Sequence, residues 1–188
     1  MGKVNKEIKN NFKHYTDLVD GRKNVKKSPI VLDEKGNNIH YKKKNTSVTH
    51  TTEKDDINLI VESKIINKKD FKFKLRAKEY TEPPFFRFDS DGVTHRNNIP
   101  EIPLADQQIT TPHFHKFDDK GREIAYKTKQ LKTPTEAKAL EDINLCVSHF
   151  CNEGNLRYNV NDFPKIDDTS GEIGFDISDE DPHSKIKF

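Results

Sequence analysis

Two histidines one residue apart, His113 and His115 in PHFHKF, and an arginine and an aspartate one residue apart, Arg87 and Asp89 in FFRFD, are the side chains here whose types and spacing could do chemistry. On an extended strand an i, i+2 pair projects to one side, with about 6.6 Å between positions at a rise of about 3.3 Å per residue. Both imidazoles could therefore approach one small target. His95 stands in the intervening loop, close enough in sequence to fold over the same surface. Imidazole exchanges a proton near neutral pH. The set could thus act as general acid and base on a phosphodiester, with Lys74, Arg76 and Arg87 neutralising phosphate and Asp89 orienting a histidine. That chemistry would be metal-independent cleavage of RNA or a nucleotide.

Two other readings use the same residues. His113 and His115 with His95 or Asp89 form an accepted transition-metal ligand set, which the spacing permits without demanding, and no metal is assigned on sequence. A cupin-like jelly roll also carries HxH, but its surrounding glycines and its following glutamate are missing here. Alternatively the histidines are inert strand residues bonded to carboxylates and loop carbonyls. No P-loop, glycine-rich dinucleotide turn, GxSxG or HExxH occurs, so NTPase, dehydrogenase, hydrolase-elbow and zincin chemistries have no support and no cofactor is expected.

The elements that must position these residues are mostly strands. Residues 57–66 and 71–80 alternate in polarity and are joined by a short turn at 67–70, which predicts a hairpin. In its second strand Phe71, Phe73, Leu75 and Ala77 share one face, and Lys72, Lys74, Arg76 and Lys78 share the other. FFRFD continues the pattern, with Phe86 and Phe88 opposite Arg87 and Asp89. PHFHKF and REIAYK predict a further hairpin about Asp118–Gly121, and residues 90–112 a long ordered loop. Thr133-Pro134-Thr135-Glu136 opens a helix whose apolar stripe is Leu140, Ile143, Val147, Phe150 and Cys151, closing at Gly154. If the aromatic face packs on this helix, period-two alternation gathers the cations, Asp89 and both histidines on the reverse.

Upstream, residues 4–20 predict one amphipathic helix closed near Gly21. A basic linker follows at 22–29, then a hairpin turning at Lys35-Gly36-Asn37, and 44–56 reads as loop. The expected fold is α+β, an antiparallel sheet of about five strands packed on the C-terminal helix. Residues 1–56 would be a basic helix-and-hairpin arm, 57–164 the core domain, and 165–188 an acidic tail, disordered or ordered on a partner.

Composition bounds the rest. The apolar fraction is 31%, the charged fraction 34% and the net charge +2, too small to announce a nucleic-acid binder. Its distribution says more, since residues 1–54 carry an excess of roughly seven positive charges and 165–182 an excess of roughly six negative ones. Plentiful Asn, Lys, Asp and Ile with no Trp resembles the usage of a low-GC bacterium or its phage. No apolar run follows Met1 and no stretch of about 18 apolar residues occurs, so neither signal peptide nor membrane span is expected, and the location expected is cytoplasmic. Cys146 and Cys151 lie about 140° apart round a helix, which fits buried thiols rather than a disulfide or metal clip.

FRFDSDGVTHRN, PHFHKFDDKGREIAYK and SHFCNEGNL resemble, in order and spacing, an uncharacterised bacterial and mobile-element family: an aromatic-Arg-x-Asp strand, an HxN loop, a PHxH strand and a helix ending Phe-x-x-Cys/Tyr-Asn. The matching positions include Arg87, Asp89, His95, Asn97, Pro112, His113, His115, Tyr126, Phe150 and Asn152 within residues 70–156. The resemblance adds Asn97 to Arg87, Lys72, Lys74 and Arg76 as a substrate contact. This chain departs from the pattern in having Cys151 ahead of Asn152 with Glu153 and Gly154 after it, and in a longer loop before PHFH. The chain is also similar, more distantly, to small nuclease-like toxins of toxin–antitoxin pairs, which implies ribonuclease or nucleotidyl chemistry. The expected partner is RNA or a nucleotide. The rival expectation is a non-catalytic antidefence protein, such as an anti-CRISPR-like inhibitor, that occupies a host or cognate protein or its nucleic-acid surface. Oligomeric state is left open.

Overall fold

Phe71, Phe73 and Leu75 on one strand and Phe86 and Phe88 on the next are each at most 1% exposed, because their shared face packs on a helix. That helix carries Phe150, whose ring lies 5.2 Å from Phe73 and 5.3 Å from Phe86. These distances come from a computed structural model that describes residues 4–35 and 39–169. The chain begins with α1 (Lys6–Asn10) and α2 (Phe12–Asp20), followed by β1 (Lys23–Val25), β2 (Ile30–Val31), β3 (Glu34–Lys35) and β4 (Tyr41–His50). The core strands are β5 (Ile57–Lys64), β6 (Phe71–Ala77) and β7 (Phe86–Asp89). A short ribbon of β8 (His95–Arg96) and β9 (Gln108–Ile109) precedes β10 (His113–Phe117) and β11 (Glu123–Tyr126). Then come α3 (Lys129–Lys132), α4 (Pro134–Ala139), α5 (Ile143–Glu153), β12 (Leu156–Arg157) and β13 (Ile166–Asp167).

The α+β class holds, but the sheet is larger than expected. Among the described residues nine strands join in the order β11-β10-β7-β6-β5-β4-β1-β12, with β3 also on β4. Every pairing in it is antiparallel except β1 with β12. The segment expected as an N-terminal arm supplies β1, β3 and β4, and Ile8, Leu18, Val25, Leu32 and Val48 share the core cluster of Phe73 and Phe150. The expected loop at 44–56 is in large part β4, bonded to β5 from Tyr41↔Lys64 to Val48↔Ile57. Its inward residues are Thr46 and Val48, so little apolar alternation advertised it.

Both long helices are broken where a side chain competes for the backbone. Asn11 lies off helical geometry and its Oδ1 accepts from His14 N–H, which restarts the helix as α2. Asp142 Oδ1 accepts from the N–H groups of Asn144 and Leu145, so α5 begins there rather than continuing α4. Cys146 and Cys151 are buried free thiols, as the helical spacing required.

The basic linker contributes the short strand β1, and Lys23 within it is fully buried. Its Nζ donates to the carbonyls of Leu18, Val19 and Gly21 at 2.7, 2.8 and 2.6 Å. The ammonium thus closes the C-terminus of α2, where unpaired carbonyls and the helix dipole favour a cation. The hairpin β3–β4 is present, but its tip at 36–38 lies outside the described residues, as do 170–188 of the expected acidic tail. Residues 166–167 are not tail, since β13 pairs with β2 and Ile166 is buried. Among the described residues no helix is long and apolar enough to cross a membrane.

Candidate functional site

Period-two alternation on β6, β7 and β10 decides which side chains meet. With Phe88 and Phe114 committed to α5, register places His113 opposite Asp89 and His115 opposite Arg87 on the other face. The imidazoles of His113 and His115 lie 4.5 Å apart, centre to centre. The expected convergence of these four residues is therefore observed.

That face is not open at this point. His113 and His115 are 1% and 3% exposed, because the β8–β9 ribbon folds across them. His95 on the ribbon brings its ring 4.9 Å from that of His115 and 6.3 Å from that of His113. Asn97, expected as a substrate contact, pins the ribbon down. Its amide donates to Ala125 O at 2.8 Å and accepts from Ala125 N–H at 2.7 Å, so both ends are used on the edge of β11. Gln107 stiffens the ribbon from within by donating to the carbonyls of Ile99 and Ile102.

One member of the cluster escaped the sequence reading. Glu123, at the start of β11, places Oε1 3.2 Å from His115 Nδ1 and 3.2 Å from Arg87 Nη2. On the other side, Asp89 Oδ2 lies 3.2 Å from His115 Nε2 and 3.3 Å from Arg87 Nε. His115 therefore spans two carboxylates. Arg87 Nη2 also stands 3.1 and 3.0 Å from the two ring nitrogens of His115, but a guanidinium has only donors, so the carboxylates are what the two cationic groups share. The signal for Glu123 was the length of the turn at Asp118–Gly121, which sets the β10–β11 register, Phe117↔Glu123.

The environment separates the histidines. Burial alone would lower His115, but its hydrogen bonds with Asp89 and Glu123 outweigh that and hold its pKa above the ordinary value. His113 gains no such support. Burial, reinforced by the charge of His115, pushes it down to about 4 against the Thr110 carbonyl and Asp89. Burial and then His115 also lower His95. Asp89 and Glu123 resist the upward pull of burial through their bonds with His115 and the charge of Arg87, and both lie below the ordinary carboxylate range. Asp89 Oδ1, His113 Nδ1 and Arg87 Nε remain buried without a well-formed hydrogen bond.

The expected row of phosphate-binding cations is partly committed within the protein. Lys74 Nζ is 2.6 Å from Glu62, and Arg76 Nε donates to Glu82 O at 3.0 Å. Lys72 is the register partner of Asp89 and adds positive charge beside it. Two cavities meet at the cluster. A groove of about 1160 Å³ runs past Lys43, Lys74, Arg76 and Lys78 to Glu123, with Glu7, Glu62 and Glu82 also in its wall. A pocket of about 490 Å³ under the ribbon is lined by His95, Arg96, Arg122 and Glu123. No protein-family model, curated protein or solved structure matches this chain.

Proposed function

We propose that the protein acts on a phosphodiester of RNA or a nucleotide, bound along the groove at Lys43, Lys74, Arg76 and Lys78 with its reacting phosphate against Arg87. The observation that carries this reading is the position of Glu123, which lines both cavities and touches both His115 and Arg87. Chain-like substrate in the groove and a terminal group in the pocket would meet at that carboxylate. Arg87 supplies a fixed fork of donors for non-bridging oxygens. Proton transfer falls to His95 and Glu123, which face the pocket. His113 and His115 line neither cavity and are buried beneath His95 and Glu123. Arg87 and Asp89 with the His113–His115 pair are the residues that carry the likeness to nuclease-like toxins.

Incubation of the protein with labelled single-stranded RNA and with 2′,3′-cyclic nucleotides tests this, with products resolved by chromatography. Cleavage that falls about 100-fold in His95→Gln and Glu123→Gln, with folding kept, is the expected result. No turnover by the wild type, or equal turnover by the variants, overturns the reading. An inhibitor acting by surface occupancy would instead be indifferent to Glu123→Gln, and would leave the buried unpaired atoms beneath the groove without a use.

A further inference from the structure

We propose that Asp89, His113 and His115 hold one divalent transition-metal ion in the floor of this site. The three donors come from two adjacent strands whose hydrogen-bonded register sets His113 opposite Asp89, so no loop has to close to assemble them. One ligand atom from each residue can be chosen so that all lie within 4.8 Å of one another. Ligands at about 2.0–2.2 Å from a common ion sit somewhat closer than this, within reach of small side-chain rotations.

An independent observation is what Asp89 and His113 lack. Asp89 Oδ1 and His113 Nδ1 are both buried and neither has a hydrogen-bond partner, although His113 is only 1% exposed. A buried carboxylate oxygen and a buried ring nitrogen left without donors are costly, and native folds resolve such pairs with a proton, a water or an ion. Both atoms can be acceptors, so they cannot satisfy each other without a proton between them, whereas a cation serves both.

Two imidazoles and one carboxylate suit Zn²⁺, Co²⁺, Mn²⁺ or Fe²⁺, and neither the oxygen shells of Ca²⁺ and Mg²⁺ nor a thiolate site. Three protein ligands leave a coordination position, the arrangement of catalytic rather than structural sites. Its use on phosphate would be as a Lewis acid beside Arg87. Binding requires His115 to exchange its present contacts with Asp89 and Arg87 for the ion, so uptake should release protons. His14 with Glu53 and Asp55 is the other cluster of this kind among the described residues, but its ring nitrogens are already matched to carboxylates at 3.1 and 3.2 Å, and none of its atoms is buried and unpartnered.

The test is calorimetric titration of ZnCl₂ into the full chain, purified without an affinity tag and stripped with chelator, beside the visible spectrum of the Co²⁺-loaded protein. Saturation at about one ion per chain is expected, weakened at least tenfold in His113→Ala and Asp89→Asn and unchanged in His14→Ala. Absence of saturable binding, an unaltered His113→Ala titration, or loss in His14→Ala overturns the proposal. Should both floor variants unfold, X-ray absorption at the zinc edge of the wild type still decides, since imidazole and oxygen scatterers support the site and sulfur overturns it. The inference concerns the site proposed above, yet the two can fail separately. Cleavage that persists with no ion bound removes the metal alone, and a bound ion without cleavage removes the substrate assignment alone.

Discussion

Glu123 and Arg87 are joined at 3.2 Å from neighbouring parts of the sheet, although 36 residues of chain (123 − 87) separate them. Between those positions the chain builds the ribbon that roofs the site and the strand that floors it. One ion pair therefore reports on the assembly of the whole centre. Replacing Glu123 by Gln leaves its shape but removes the charge shared by His115 and Arg87, and with it much of what holds His115 above its ordinary pKa. The His115 imidazole resonances should titrate at lower pH in Glu123→Gln than in the wild type, as followed by nuclear magnetic resonance. An unchanged midpoint would show that Asp89 alone sets the ring.

Asn97→Ala removes both hydrogen bonds to Ala125 from a buried strand edge. The expected loss is about 2–3 kcal/mol by chemical denaturation, with faster amide exchange concentrated at Ala125 and residues 95–109. Exchange raised evenly across the sheet would mean that the ribbon is not held by this clamp.

Lys23 gives the fold a pH dependence whose sign can be worked out. Burial, opposed by Asp20, pushes its ammonium down to about 7, from 10.5 in the unfolded chain. Between those values the unfolded chain binds more protons than the folded one, so this group makes stability rise with pH through that window. Below about pH 7 both states are protonated and the contribution is flat. The three carbonyl acceptors favour the ammonium and oppose this rise. Lys23→Met should lose about 2–4 kcal/mol at pH 7 and should flatten the rise above it, measured by urea unfolding at several pH values. A parallel pH profile in the variant would contradict this.

Gly121 takes φ +72° in the β10–β11 turn, and a Cβ there would run into the Asn5 carbonyl. The Asn5 N–H also donates to Gly121 O at 2.8 Å. Gly121→Ala should therefore cost about 1–3 kcal/mol and loosen α1 from the turn. A melting temperature equal to that of the wild type would refute the close approach.

Phe150 stacks among Phe73, Phe86 and Phe114 with no exposed surface. Phe150→Ala should cost about 3–5 kcal/mol. Near-wild-type denaturation would show that α5 is not the cover of the aromatic face.

The pattern behind these predictions was unevenly legible. Phe71, Phe73 and Leu75 against Lys72, Lys74 and Arg76 announce a strand and its inward face, because the alternation is strict and the contrast large. From that face the meeting of Arg87, Asp89, His113 and His115 follows. β4 gave no such contrast. Lys44 Nζ lies 2.8 Å from Asp33, and Thr46 stands where an aliphatic residue would have marked a buried position. The structural roles of Lys23 and Asn97 were hidden for another reason. Their partners are backbone atoms of Leu18, Val19, Gly21 and Ala125, and residue types carry no record of which backbone groups will stand nearby. Glu123 depended on a register decided by one turn.

The parallel seam between β1 and β12 sets a condition on synthesis. Lys23 N–H finds its acceptor on Asn155, near the far end of the described chain. That sheet edge therefore cannot be sealed while the ribosome is still making the middle of the protein. Contacts this remote in sequence slow a search that local hairpins would finish quickly. Until Leu156 emerges, β1 is an unprotected edge, the time at which a nascent chain is most open to pairing with a neighbour.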